Sequence, residues 1–246
     1  MKIYAVTCCW REINSEHVEC VQHLQRRPEV GYYSIQSGDA LISRARAIAA
    51  TRFLRESDAD ILVSLDSDIL FSSTAVVEIA QQAMDHDIVG GIYLTRGGDP
   101  PTPASLLEKD MLVDLTGTTK LVPIKYAATG FLAVARRVFE RMARDLPLCN
   151  EKDGIPMYPF YTPMVGKDDA GDPVYLSEDW AFCERARALG FGIYANPSVQ
   201  LIHVGTHHYK MADMGGTDHP NQVPLSMTRT SDTNIVREFP DPIVVS

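Results

Sequence analysis

The sequence predicts an α/β fold, a Rossmann-like α/β/α sandwich around a mostly parallel central sheet, and three observations carry that expectation. The apolar run Ile61-Leu62-Val63-Ser64-Leu65 is bounded by Ser57-Asp58-Ala59-Asp60 and closed by Asp66-Ser67-Asp68, as a strand buried on both faces is. From Met1 to Tyr93, strand and helix signals alternate, and repeated βα units place helices on both faces of a parallel sheet. A second buried run, Ala127-Ala128-Thr129-Gly130-Phe131-Leu132-Ala133-Val134, passes directly into an amphipathic helix from Arg136.

The elements follow in order. A strand near Lys2 to Thr7 precedes a helix near Ser15 to Gln25 and a strand near Tyr32 to Gln36. Asp39 is placed to cap a helix reaching Arg55, because Ala40 to Ala50 is rich in helix formers. The strand that ends at Asp66 leads to a helix near Ser73 to Met84 and a strand from Asp87 to Tyr93. Gly97-Gly98-Asp99-Pro100-Pro101-Thr102-Pro103 breaks this rhythm as a loop, and short strands follow near Met111 to Leu115 and Lys120 to Ile124. Glycine, proline and charge between Cys149 and Tyr175 indicate a long surface loop of the kind that folds over a site. Ser177 opens the last helix, Gly190 ends it, and Val199 to His203 forms a final strand. The expected organisation is one domain over 1–205 and a polar tail over 206–246, an active-site lid or an oligomer arm.

Composition narrows the function classes. A chain of 246 residues with 45% hydrophobic content builds a full core. No apolar stretch reaches the roughly 18 residues of a membrane span, and Met1 to Val6 begins a strand rather than a signal peptide, so the expected location is cytoplasmic. Five cysteines without CxxC spacing argue against a disulfide framework and a structural zinc site. A net charge of −9 argues against general affinity for nucleic acid or anionic membranes. The densest basic cluster, Arg136, Arg137, Arg141 and Arg144, reads as a solvated helix face.

Four clusters carry candidate chemistry. Asp66 and Asp68 share a face at a strand end, so they can converge on Mg²⁺ or Mn²⁺ bridging to substrate phosphate. Glu178 and Asp179 sit in the first turn of a helix, whose dipole keeps a carboxylate ionised and able to act as a base. His203 ends an apolar strand beside Gly205, and a neutral imidazole suits Mn²⁺. In Thr129-Gly130-Phe131, a glycine at a strand start leaves room for a ligand near the backbone. Each cluster alone also reads as caps or core residues.

The ordered set of Ser43-Arg44-Ala45-Arg46, Asp66-Ser67-Asp68, Thr129-Gly130-Phe131-Leu132, Ser177-Glu178-Asp179 and His203-Val204-Gly205 resembles the GT-A glycosyltransferases of the family 2 type, from Met1 to about Gly205. The resemblance implies a GT-A fold and transfer of a sugar from a nucleoside-diphosphate donor, a UDP-sugar, to an acceptor hydroxyl. It places Mn²⁺ or Mg²⁺ on Asp66, Asp68 and His203, and an inverting general base at Asp179. Thr7 and Asp39 become candidates for the base and ribose, and Arg46 or Lys210 for the phosphates. There are departures: Ala47 stands where many relatives have asparagine, and Lys210 with His207 and His208 does not keep the spacing of retaining relatives, so stereochemistry stays open. The acceptor is not legible: a glycan, lipid, protein or modified base fits equally. Trp180 either stacks on an acceptor ring or packs in the core.

Other classes fit less well. A haloacid-dehalogenase-like phosphatase carries its aspartate pair on the first strand with threonine or valine two residues on, and here two strands precede it and Leu70 holds that place. A sugar nucleotidyltransferase needs a glycine-rich loop after the first strand, which Thr7-Cys8-Cys9-Trp10 is not. A non-catalytic nucleotide-sugar or glycan-binding protein of the same fold is the non-enzymatic alternative.

Overall fold

The structure, a computed structural model, describes residues 1–96, 102–107, 111–114, 120–150, 154–168, 170–205, 208–210 and 222–225. The first half runs β1 (Ile3–Cys9), α1 (Ser15–Leu24), β2 (Val30–Ser37), α2 (Ile42–Glu56), β3 (Ile61–Asp66), β4 (Ile69–Leu70), α3 (Ser73–His86) and β5 (Ile88–Ile92). After β6 (Leu106–Leu107) and β7 (Met111–Asp114) come β8 (Val122–Tyr126), β9 (Phe131–Ala135) and α4 (Arg136–Met142). β10 (Cys149–Asn150), β11 (Pro156–Met157), β12 (Met164–Lys167) and β13 (Pro173–Leu176) lead to α5 (Glu178–Ala188). β14 (Ile193–Gln200), β15 (Ile202–Val204), β16 (His208–Tyr209) and β17 (Gln222–Leu225) complete the order.

The central sheet has the order β2-β1-β3-β9-β5-β14-β8-β6. β1 pairs in parallel with β2 and β3, and β5 with β14. β9 is inserted antiparallel between β3 and β5, so β2, β1, β3, β5 and β14 still run one way. β8 opposes β14, and β6 opposes β8. The direction of β9 was not legible, because Phe131 to Ala135 is buried throughout and a continuous apolar run has no periodicity to orient it. Helices α1 and α3 cover one face, while α2, α4 and α5 cover the other. Phe53, Phe139, Phe160, Tyr161 and Phe182 pack ring against ring under that second layer.

Four local expectations change. Helix α2 starts at Ile42, after a Leu41 N-cap without a side-chain bond, because Asp39 instead accepts from the Leu41 N–H at 2.9 Å and grips Arg44 Nε at 2.6 Å. The stretch from Cys149 to Tyr175 contains two antiparallel hairpins, β10 with β11 and β12 with β13, rather than loop alone. The final strand is two strands: β14 belongs to the central sheet, whereas β15 pairs with β4 and β16. Of the four arginines from Arg136 to Arg144, Arg137 and Arg144 are exposed as expected, but Arg136 is not part of a solvated face. Arg136 donates to the carbonyls of Phe53, Leu54, Ser57 and Ala59 and so closes the C-terminal end of α2, where carbonyls lack helical partners.

All five cysteines are free. Among the described residues, no helix is long and apolar enough to cross a membrane. β17 pairs antiparallel with β7, while the rest of the proposed lid or arm over 211–246, and the loop tip over 97–101, lie outside the described residues.

Candidate functional site

β3 delivers Asp66 to the sheet edge, and the turn through Ser67 and Asp68 enters β4 at once. β15 pairs antiparallel with β4, setting His203 opposite Ile69, and the Val204 N–H donates to the Asp68 carbonyl at 2.8 Å. This small sheet brings two residues distant in sequence together: His203 Nε2 lies 3.6 Å from Asp68 Oδ2, with the side chains 13% and 26% exposed. His203 Nδ1 lies 2.7 Å from the Leu94 carbonyl. A carbonyl only accepts, so Nδ1 carries a proton and a neutral ring turns the Nε2 lone pair toward the carboxylate. Such a pair of acceptors is favourable only with a proton or a cation between them, and a carbonyl behind the imidazole is the usual support of a metal-binding histidine. Burial opposes the charge on Asp68, yet His203, when its Nε2 carries the proton, and the Arg96 guanidinium hold its carboxyl below the ordinary range.

Asp66 faces another partner. Arg46 Nη2 donates to Asp66 Oδ1 at 2.7 Å and Oδ2 at 2.9 Å, and its Nη1 donates to Glu178 Oε1. Arg46 is therefore a buried strut from α2 to the end of β3 and the start of α5, and it does not line the open cleft. Its Nε is buried without a hydrogen-bond partner. Burial pushes the Glu178 carboxyl up against the pull of Arg46, and this bond removes Glu178 from duty as a free base.

Asp179 follows in the first turn of α5. The Trp180 N–H donates to its Oδ1 at 2.8 Å, as does the Ser177 hydroxyl, so the bonds that fix this carboxylate fall on one oxygen. Trp180 itself is half-buried and stacks on Tyr126 with ring centroids 5.1 Å apart. Gly130 makes room for protein groups rather than for a ligand: a Cβ there would lie 2.5 Å from the Tyr93 hydroxyl and 2.9 Å from Asp66 Oδ2. Its N–H donates to Tyr93 Oη at 3.0 Å.

An open cleft of about 550 Å³ lies over the aspartate triplet, walled by Cys8 to Glu12, Asn14, Ile42, Asp66, Ser67, Asp68 and Arg96. Trp10 is 48% exposed and Arg11 lies over its ring at 5.2 Å. The expected position, the end of the first strand, is thus the cleft wall, but Thr7 does not face it. Thr7 is buried, receives the Tyr33 hydroxyl at 2.9 Å and lies 3.0 Å from His17 Nε2, while His17 Nδ1 lies 2.8 Å from the Ile69 carbonyl. Because that carbonyl only accepts, the chain runs Tyr33 to Thr7 to His17 to Ile69, and the Thr7 hydroxyl is fully used. Asp39 is committed to Arg44, which holds its carboxyl below the ordinary range. Lys210 is exposed just beyond Tyr209, the residue paired with His203. Sequence reasoning missed Trp10 and Arg96. An exposed aromatic directly after a buried strand was the available signal for Trp10; Arg96 had none.

Among the described residues, no three His, Cys, Asp or Glu side chains form a metal cluster. Asp68 and His203 nonetheless fit a Mn²⁺ or Mg²⁺ whose other ligands are substrate phosphate and water, the usual arrangement for a phosphate-bridging cation.

No protein-family model and no curated protein sequence matches the chain. Solved structures do resemble it. The crystal structure of A197 from STIV aligns with a TM-score of 0.53 and 16% identity, over 83% of this chain and 86% of that one. The structure of GalNAc-T7 with UDP, GalNAc and Mn²⁺ aligns with a TM-score of 0.52 and 11% identity, over 89% of this chain and 46% of that one. The fold is GT-A-like. At these identities the likeness concerns architecture alone, and this chain spans less than half of the GalNAc-T7 chain.

Proposed function

We propose that the protein is a metal-dependent glycosyltransferase that moves a sugar from a nucleoside-diphosphate donor, most simply UDP-linked, to an acceptor hydroxyl with inversion. The observation that carries this reading is His203 Nε2 facing Asp68 Oδ2 at 3.6 Å with Nδ1 tied to the Leu94 carbonyl. It is supported by a cleft walled in part by Asp68, in a fold shared with a protein whose structure contains UDP and Mn²⁺.

Asp68 and His203 would hold the cation, which offsets negative charge developing on the departing diphosphate. Asp66, held by Arg46 in the cleft wall, would meet the ribose. Trp10 would carry the nucleobase on its exposed ring. Asp179 would accept the acceptor proton as the hydroxyl attacks from the face opposite the leaving group, and its Oδ1 bonds to Ser177 and Trp180 hold it in place. Lys210 would add positive charge near the phosphates.

Thermal melting with Mn²⁺ and UDP, singly and together, tests the reading. Ligands that bind the folded state raise the melting temperature, and a bridging cation makes the joint shift exceed the sum of the single ones. Asp68→Ala should abolish that excess. Melting unmoved by both ligands together would dismiss the reading.

A further inference from the structure

We propose that Arg96 occupies the cation's place on Asp68 in the unliganded protein and transfers to the donor diphosphate when metal and donor bind, so that the two ligands bind cooperatively. This rests on the reading of Asp68 and His203 as the metal pair.

Arg96 Nη1 lies 2.9 Å from Asp68 Oδ2, the same oxygen that His203 Nε2 approaches. A divalent ion held by Asp68 and His203 needs that oxygen, and a guanidinium on it repels the ion. The two cations are therefore alternatives. Displacement is easy, because the Arg96 side chain is 50% exposed and exposed ion pairs are weak. Arg46 on Asp66 is the contrast: it is buried, its Nη2 donates to both carboxylate oxygens, and it stays.

The backbone leading to Arg96 is anchored. Thr95 N donates to the Thr102 carbonyl at 2.8 Å and Ala104 N to the Tyr93 carbonyl at 3.0 Å, which anchors the strand arm up to Thr95. The Arg96 stem runs across Gly205, where a Cβ would stand 3.1 Å from Arg96 Cδ, so a bare glycine gives it passage. Its destination is in reach, since Arg96 is itself a wall of the cleft. The other cleft-wall charges are Arg11, Glu12, Asp66 and Asp68, with Asp66 already neutralised by Arg46. A diphosphate there meets Arg11 and the released Arg96, whose planar fork matches phosphate oxygens. Metal frees Arg96 for the phosphates and phosphates draw Arg96 off Asp68, and such coupling is reciprocal.

Calorimetric titration of the full chain with Mn²⁺, with UDP, and with UDP at saturating Mn²⁺ tests this in wild type and Arg96→Gln. Unliganded melting of the variant confirms that it folds. Arg96→Gln should bind Mn²⁺ alone about fivefold more tightly, as removal of a weak competing ion pair allows. It should bind UDP in the presence of Mn²⁺ about tenfold more weakly and lose most of the coupling between them. Wild type binding Mn²⁺ while the variant binds it no more tightly overturns the exchange and leaves the metal site standing. Absence of Mn²⁺ binding in both overturns the exchange together with the metal reading.

Discussion

Arg46 Nη2 lies 2.7 Å from Asp66 Oδ1, so the first aspartate of the triplet is bound to a buried guanidinium and only the second shares its carboxylate with His203. Two aspartates in one turn thus have different tasks. Through Glu178, the same guanidinium ties the end of β3 to the helix that presents Asp179, which makes Arg46 a mechanical link between the aspartate triplet and the start of α5.

Arg46→Met leaves two carboxylates partly buried without a counter-charge. Breaking a buried ion pair from one side typically costs about 3–5 kcal/mol, and urea denaturation should show a loss of that order. A loss below about 1 kcal/mol would mean that water already satisfies Asp66 and Glu178.

Asp179→Asn preserves side-chain size and the oxygen that meets Ser177 and Trp180. UDP affinity at fixed Mn²⁺ should remain, while transfer or donor hydrolysis should fall by about 10²- to 10⁴-fold, the usual contribution of a general base. Near-wild-type turnover would remove Asp179 from the mechanism and favour a retaining route in which the donor phosphate takes the proton.

Trp10→Ala should weaken UDP by about 1–3 kcal/mol, the worth of base stacking on an aromatic ring, and leave affinity for Mn²⁺ alone unchanged. Calorimetry reads both. Unaltered UDP affinity would place the nucleobase elsewhere in the cleft.

Gly130→Ala puts a methyl 2.5 Å from the Tyr93 hydroxyl and 2.9 Å from Asp66 Oδ2. Overpacking of this kind costs about 1–3 kcal/mol, and displacement of Asp66 should weaken UDP as well. A variant as stable as wild type would show that Tyr93 moves freely.

Burial lowers the pKa of His17, with the bond to the Ile69 carbonyl and the charges of Asp68 and Asp66 acting the other way. A histidine depressed in the folded state favours folding above its unfolded pKa, about 6.5, and this contribution fades as pH falls through the lower folded value. Stability should therefore decline below about pH 6.5 with a slope approaching 1.4 kcal/mol per pH unit at most. His17→Gln should flatten that acid limb in denaturation curves recorded from pH 7.5 to 5. Parallel curves for the two proteins would assign the decline to other groups.

Periodicity and end signals in the sequence determined β1, α1, β3, α3 and α5, because each is bounded by residues with strong local preferences, such as Asn14 and Ser72 accepting the first N–H groups of their helices or Gly190 at φ +87° beyond the last. It also determined which carboxylates stand at the sheet edge, since a strand that stops at Asp66 leaves Asp68 no other place. Pairing across the chain is what tertiary structure alone decided. β15 on β4 sets His203 beside Asp68, and the antiparallel insertion of β9 sets Gly130 against Asp66. Local pattern carries no information about a partner far away in sequence. The same limit explains Thr7, Asp39 and Arg46: their chemistry suited a ligand, but His17, Arg44 and the pair of Asp66 and Glu178 reach them first. A polar side chain binds whichever group the fold brings within hydrogen-bonding distance, and only the assembled sheet sets those distances.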